Sequence, residues 1–131
     1  MNLLIDTHVF LWLRNAPEKI PTAIQQAYQD INNEVYLSMV SIWEMQIKHQ
    51  LNKLALDLSL DELITRQQLE NDLQLLPIEV NHIYALSQLP FHHNDPFDRL
   101  IISQSQCENM RLISADKVFK QYDINLMWSK E

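Results

Sequence analysis

Met1-Asn2-Leu3-Leu4-Ile5-Asp6 is the stretch whose reading decides the fold of this chain. Leu3-Leu4-Ile5 is a short apolar run without alternation, the pattern of a strand covered on both faces. The run stops at an aspartate, and Thr7-His8 leads into a second apolar stretch, Val9-Phe10-Leu11-Trp12-Leu13. A charge at the end of a buried strand lies at the carboxyl edge of its sheet, where open α/β sheets place their ligands. Asp6 or Thr7 can equally cap the helix that follows, so the meaning of this acid depends on where the others fall.

Working outward, Val9 to Arg14 reads as a short helix closed before Pro17. Pro21 opens the next, with Ala23-Ile24, Ala27-Tyr28 and Ile31 recurring at helical spacing until Asn32-Asn33. Val35-Tyr36-Leu37 is a second strand. Ser38 to Ser41 turns the chain into a stronger helix carrying Ile42, Trp43, Ile47 and Leu51, with Glu44 in its first turn. Ser59 or Asp61 caps a helix to about Asn71, and a third strand lies within Leu73 to Ile78. Val80 to Leu89 is a further helix, ended by Pro90. Asp95-Pro96 then reads as N-cap and first helical residue of a helix to about Cys107. Arg111 to Ser114 is a fourth strand, Lys117 to Tyr122 a short helix and Ile124 to Trp128 a last strand. Five short apolar strands interleaved with helices predict a single α/β domain over residues 1–131, with a five-stranded parallel sheet flanked by helices.

Composition limits the chemistry. The 131 residues carry ten Lys+Arg against 17 Asp+Glu, a formal charge of −7, so a polyanionic partner needs a local basic patch or bound cations. Cys107 is the single cysteine, which excludes an internal disulfide and a cysteine-based zinc cluster. It is expected on the apolar side of its helix as a small buried residue. Glycine is absent altogether. Walker-type phosphate loops, the dinucleotide fingerprint and the G-x-S-x-G elbow all need it, so none of these operates here. No apolar run is long enough to span a bilayer, and a cationic leader is lacking. A cytoplasmic protein with no membrane partner is therefore expected.

Four acids share one placement. Asp6 follows the first strand and Asp116 follows the fourth, after Leu112-Ile113-Ser114-Ala115. Glu44 begins the helix after the second strand, and Asp98 begins the helix leading into the fourth. Each has a structural explanation on its own: Ser41-x-x-Glu44 matches a capping box, and Asp98 lies where an acid meets the helix dipole favourably. Together they would converge at the carboxyl edge of a parallel sheet. Packed carboxylates repel one another, and a hard divalent cation resolves that repulsion. The adjacent pair His92-His93 is expected to be solvated or at the rim, and Trp12, Trp43 and Trp128 to serve as core or interface aromatics.

The same segments carry a family resemblance. The chain resembles the PIN-domain ribonucleases, and more closely the VapC-type toxins of bacterial toxin–antitoxin pairs. The likeness rests on Leu4-Ile5-Asp6-Thr7-His8 with Leu11-Trp12, on Ser41-Ile42-Trp43-Glu44 with Lys48, on Asp95-Pro96-Phe97-Asp98-Arg99-Leu100-Ile101-Ile102, and on Leu112-Ile113-Ser114-Ala115-Asp116. It implies a Mg²⁺- or Mn²⁺-dependent endoribonuclease in which Asp6, Glu44, Asp98 and Asp116 hold the metal that activates water. It also implies an RNA substrate, a homodimer and a cognate antitoxin that blocks the site. Ser41, Asp95 and Ser114 are expected to support or cap this set, and Lys48, Lys53, Arg99 and Lys117 to contact RNA. Asn52 stands where such toxins commonly carry glycine, and asparagine tolerates the left-handed conformation. The rival readings are a receiver-like phosphoacceptor domain and a catalytically silent PIN-like binding module. The receiver would want its phosphoacceptor after the third strand, where Leu76-Pro77-Ile78-Glu79 stands, and a lysine after the fifth.

Overall fold

The computed structural model describes residues 1–128; Ser129, Lys130 and Glu131, which the domain assignment and the receiver comparison touched, lie outside the described residues. Five parallel strands form one sheet: β1 (Asn2–Ile5), β2 (Glu34–Ser38), β3 (Gln74–Leu76), β4 (Arg111–Ile113) and β5 (Leu126–Met127), in the order β3-β2-β1-β4-β5. β1 is central, with Leu4 opposite Tyr36 on one side and Leu112 on the other. Six α-helices flank the sheet: α1 (Thr7–Asn15), α2 (Thr22–Gln29), α3 (Met39–Gln50), α4 (Leu60–Asn71), α5 (Val80–Tyr84) and α6 (Pro96–Cys107).

The apolar run of β1 is buried on both faces, as its lack of alternation predicts. Leu3 and Ile5 point into a core built with Val9, Phe10, Ile24, Val35, Leu37, Leu63 and Ile64. Leu4 points the other way, into a core built with Ile101, Ile102, Leu112, Phe119 and Tyr122. Burying each of these β1 side chains contributes roughly 1.5–3 kcal/mol, so both helical layers are anchored on three consecutive residues.

Helix ends do without glycine. Asn52, Asp72 and Asn109 take positive φ at 59°, 55° and 53°. After α3, Lys53 N–H donates to Lys48 O at 2.8 Å and Asn52 N–H to His49 O at 3.1 Å, the paired bonds of a Schellman ending. The same pairing recurs at Asn109, where Met110 N–H donates to Ser105 O. Asparagine at position 52 thus fills the left-handed position expected of it.

Several boundaries differ from expectation. α3 starts directly at Met39, because Ser38 ends β2 in extended geometry and its Oγ accepts from Val40 N–H at 3.0 Å. The helix expected over Val80 to Leu89 tightens into a 3₁₀ turn at Ala85–Gln88, since Leu89 must be extended ahead of Pro90. β5 is two residues long because it pairs only with the three-residue β4. Cys107 is exposed rather than buried. It lies two residues beyond buried Ser105, roughly 200° round the helix and off the packed face. No helix among the described residues is long and apolar enough to cross a membrane.

Candidate active site

Short local links hold each of the acids in place. Asp6 leaves β1 with its N–H on Ile113 O at 3.1 Å, which ties it to the end of β4. Its Oδ1 accepts from Val9 N–H at 2.8 Å and so caps α1, while its Oδ2 accepts from the Ser114 hydroxyl. Ser114 Oγ in turn accepts from Asp116 N–H at 3.1 Å. Asp116 is exposed and caps the 3₁₀ turn Lys117–Gln121 through Val118 N–H. Capping and cation binding are therefore not competing roles: a carboxylate has about four lone-pair sites, and these caps each use one.

Glu44 lies in the second turn of α3, not the first. Because the helix starts at Met39, Ser41 lies inside it, and the capping-box explanation of Ser41 and Glu44 falls away. Ser41 instead turns inward, with its Oγ 2.9 Å from Thr7 Oγ1. Thr7 Oγ1 is also 2.8 Å from Glu44 Oε1. A hydroxyl has one proton and an ionised carboxylate can only accept, so Thr7 donates to Glu44 and accepts from Ser41. Lys48 Nζ donates to Glu44 Oε2 at 2.7 Å. Glu44 is 4% exposed, so this link to a half-exposed lysine accompanies an otherwise buried carboxylate.

Asp98 sits in the first turn of α6. Asp95 Oδ1 caps that helix, accepting from Phe97 N–H at 2.9 Å and Asp98 N–H at 3.0 Å. Burial pushes the Asp98 carboxyl up to about 6, and the nearby charges of Asp95 and Glu44 add to the rise while His93 opposes it. Burial also raises Asp6; the Ser114 and Val9 hydrogen bonds and His8 work against the rise, and the charge of Asp116 reinforces it. These influences link the acids in two pairs: Glu44 acts on Asp98, and Asp116 acts on Asp6.

A pH dependence follows. Asp98 has a folded-state pKa above its ordinary 3.8. Its contribution to metal-free stability is full below that value and is lost as pH rises through about 6. A cation on the ionised carboxylate would offset the loss. The rise in melting temperature caused by Mn²⁺ should thus be larger near pH 7.5 than near pH 5, where protons compete for Asp98. Thermal melts with and without Mn²⁺ at the two pH values check this.

Among the cations, Arg99 is not a surface contact. It is buried, and its guanidinium donates to Pro90 O at 2.8 Å, Leu89 O at 3.1 Å, His93 O at 3.4 Å and the Tyr122 hydroxyl at 3.4 Å. The Phe91 ring covers it, with its Cζ 3.9 Å from the centroid. Arg99 thereby fixes the 89–93 loop instead of facing a substrate. Lys53 lies beyond the C-terminus of α3, roughly 10 Å along the axis from Glu44. Lys117 is exposed beside Asp116 and lines a pocket of about 460 Å³ with Lys120 and Arg111.

Thr7 and Tyr122 join the site unannounced, and His93, expected to be solvated or at the rim, is half-buried with both ring nitrogens engaged. His93 faces inward, with Nδ1 2.7 Å from Tyr122 Oη and Nε2 3.3 Å from Asp98 Oδ2. Its neighbour His92 stays exposed and packs edge-on against Tyr122. The signal was a histidine five residues ahead of an acid, which carries no direction until Tyr122 is in place. Trp43 is 56% exposed, stacks edge-on with Phe97 and lines an apolar groove of about 840 Å³ between α3 and α4, which none of the four acids lines.

Among the described residues, the group whose ligand atoms lie within 4.8 Å of one another is a different one, Glu79, His82 and Glu108. Its histidine is already engaged on both nitrogens: Nδ1 accepts from Glu79 N–H at 3.0 Å, which leaves Nε2 to donate to Glu108 Oε2 at 2.8 Å. A metal there would have to break one of these bonds, so this group reads as a lock between α5 and α6. The acids at the sheet edge fit a hard cation better, because their donors are carboxylate oxygens and two of them are held above their ordinary range by burial and by neighbouring carboxylates, Asp6 by Asp116 and Asp98 by Asp95 and Glu44.

The fold is shared with solved toxin–antitoxin complexes. The chain superposes on a chain of the Rickettsia felis VapBC2 complex bound to promoter DNA with a TM-score of 0.75 at 16% identity, covering 98% of this chain and 99% of that one. For VapBC-1 of nontypeable Haemophilus influenzae the TM-score is 0.66 at 16% identity, with 97% of each chain covered. For the FitAcB structure of Neisseria gonorrhoeae it is 0.62 at 15% identity, covering 95% of this chain and 96% of that one. At such identities the likeness speaks for the fold. No curated protein sequence matches the chain. The PIN domain family model does, over residues 3–125. That match runs from the first buried strand to the residue before β5 and takes in all four acids, and the chain belongs to the PIN-domain family.

Proposed function

We propose that the protein is a divalent-cation-dependent endoribonuclease and the toxin of a toxin–antitoxin pair. Membership of the PIN-domain family supports nuclease chemistry, and the structural neighbours are toxin–antitoxin complexes, which favours a cognate antitoxin as partner. The observation that carries the reading is a buried acid, Asp6, and a half-buried one, Asp98, each held above the ordinary carboxylate range, with Asp116 adding to the rise of the first and Glu44 to that of the second.

Asp6, Glu44, Asp98 and Asp116 would hold Mg²⁺, or Mn²⁺ in its place. The cation, when bound, supplies Lewis acidity and the positive charge that a scissile phosphate requires. The chain's own residues do the rest. Ser114 and Val9 N–H fix the two oxygens of Asp6, and Thr7 and Lys48 fix those of Glu44. Asp95 sets the start of α6 and with it the position of Asp98. Lys117, and Lys120 beside it, are suited to backbone phosphates, since they line a basic pocket next to Asp116. RNA as substrate, a homodimeric state and a cytoplasmic setting follow from the resemblance to VapC-type toxins. The test is incubation of purified protein with total RNA in Mg²⁺ or in EDTA. Cleavage confined to the Mg²⁺ reaction supports the reading; equal cleavage in both, or none in either, sinks it.

A further inference from the structure

We infer that His93, locked by Tyr122, is a positioning residue that sets the orientation of the Asp98 carboxylate for its cation; this rests on the nuclease reading above. Tyr122 Oη has one proton and two lone pairs, and three groups surround it. His93 N–H approaches at 3.3 Å and Arg99 Nη1 at 3.4 Å, and both can only donate. The phenol therefore gives its own proton to the third group, His93 Nδ1, at 2.7 Å. With Nδ1 accepting, the neutral imidazole carries its proton on Nε2, and Nε2 points at Asp98 Oδ2 at 3.3 Å. The direction of the chain is fixed throughout, from Arg99 to Tyr122 to His93 to Asp98.

The anchor of this chain is rigid. Arg99 is held by the carbonyls of Leu89, Pro90 and His93 and covered by Phe91, and Tyr122 is 5% exposed. Arg99 is also the residue after Asp98, so one turn of α6 supplies both ends of the loop formed by these hydrogen bonds. His93 thus occupies one lone pair of Oδ2 and leaves Oδ1 without a protein donor from this chain of bonds. A carboxylate restrained on one oxygen keeps the other aimed, which is how outer hydrogen bonds tune a metal ligand.

Three variants test this: His93→Ala, His93→Gln and Tyr122→Phe, each compared with the wild-type protein. Mn²⁺ affinity is measured by titration calorimetry without RNA, and RNA cleavage is followed at low and at saturating Mn²⁺. His93→Ala should bind Mn²⁺ about tenfold more weakly or worse, within the roughly 10–100-fold typical of such partners. Saturating Mn²⁺ should restore most of its cleavage. His93→Gln, whose amide can still donate to Oδ2, should recover most of the affinity, and Tyr122→Phe should fall between the two. Wild-type affinity in folded His93→Ala would overturn the inference. So would equal weakness in His93→Ala and His93→Gln, or a cleavage loss that added Mn²⁺ does not restore. If His93→Ala fails to fold, His93→Gln against Tyr122→Phe decides: a Tyr122→Phe affinity equal to wild type overturns it. A wild-type protein that binds no Mn²⁺ fails the nuclease reading itself, a result distinguishable from all of these.

Discussion

Asp98→Asn should yield a folded protein that neither binds Mn²⁺ nor cleaves RNA, while Asp95→Asn should keep measurable activity. The two aspartates are three residues apart and do different things. Asp95 accepts from Phe97 N–H and Asp98 N–H through a single oxygen, Oδ1. An asparagine carbonyl accepts the same two bonds, so the cap survives and the loss should stay below the roughly 1 kcal/mol of a missing cap. Asp98 contributes charge, and its surroundings resist that charge through burial and through Asp95 and Glu44. Asparagine at 98 keeps the size and removes what attracts the cation. Cleavage should drop by more than about a hundredfold, beyond the range typical of groups that only support a ligand. Calorimetric Mn²⁺ titration, RNA cleavage and melting curves on both variants decide the matter; full activity in Asp98→Asn, or loss confined to Asp95→Asn, reverses the assignment.

Asp6→Asn should separate stability from function. Asp6 is 5% exposed, and its carboxyl is raised chiefly by burial, with the charge of Asp116 adding to it. Asparagine can still accept from Val9 N–H, and the Ser114 hydroxyl can turn to accept from its amide. The substitution therefore removes a desolvated charge at little cost in hydrogen bonds. Without metal, the variant should be more stable than wild type near pH 7.5 by about 1 kcal/mol, a typical gain where a functional site stores strain, equivalent to roughly 4 °C in melting temperature. A raised carboxyl contributes its stability at low pH and loses it as pH rises through its folded pKa, so the variant's advantage should vanish towards pH 4. With metal the order should reverse, because Mn²⁺ stabilises only the wild type. A metal-free variant that melts below wild type at neutral pH would contradict this account of Asp6.

The local patterns of the sequence carried most of the fold. Leu3-Leu4-Ile5 lacks alternation because Leu4 faces one core and its neighbours the other, and that marks β1 as a strand covered on both faces. Asp95-Pro96 marked the start of α6 because cap and proline act within one turn. What was not legible depends on contacts distant in sequence. Ser41-x-x-Glu44 matched a capping box, but Ser38 three residues earlier ended β2 in the extended geometry a cap needs, and so started the helix. Ser41 was then left to meet Thr7, 34 positions away. Arg99 follows an acid at a helix start, like a substrate contact, yet the carbonyls of the 89–93 loop turn it inward. His93 depends on Tyr122, 29 positions on, for its direction. Cys107 sat on an apolar helix but two residues past the last buried position.

The central claim is that a cation sits among Asp6, Glu44, Asp98 and Asp116. Crystals soaked in Mn²⁺, with anomalous diffraction collected near the manganese edge, test it most directly. The account predicts a peak at the carboxyl edge of the sheet, ligated by at least Asp6 and Asp98, and absent in Asp98→Asn. A peak between Glu79, His82 and Glu108 instead, or no peak at the sheet edge in a crystal whose lattice leaves that edge open, would contradict it.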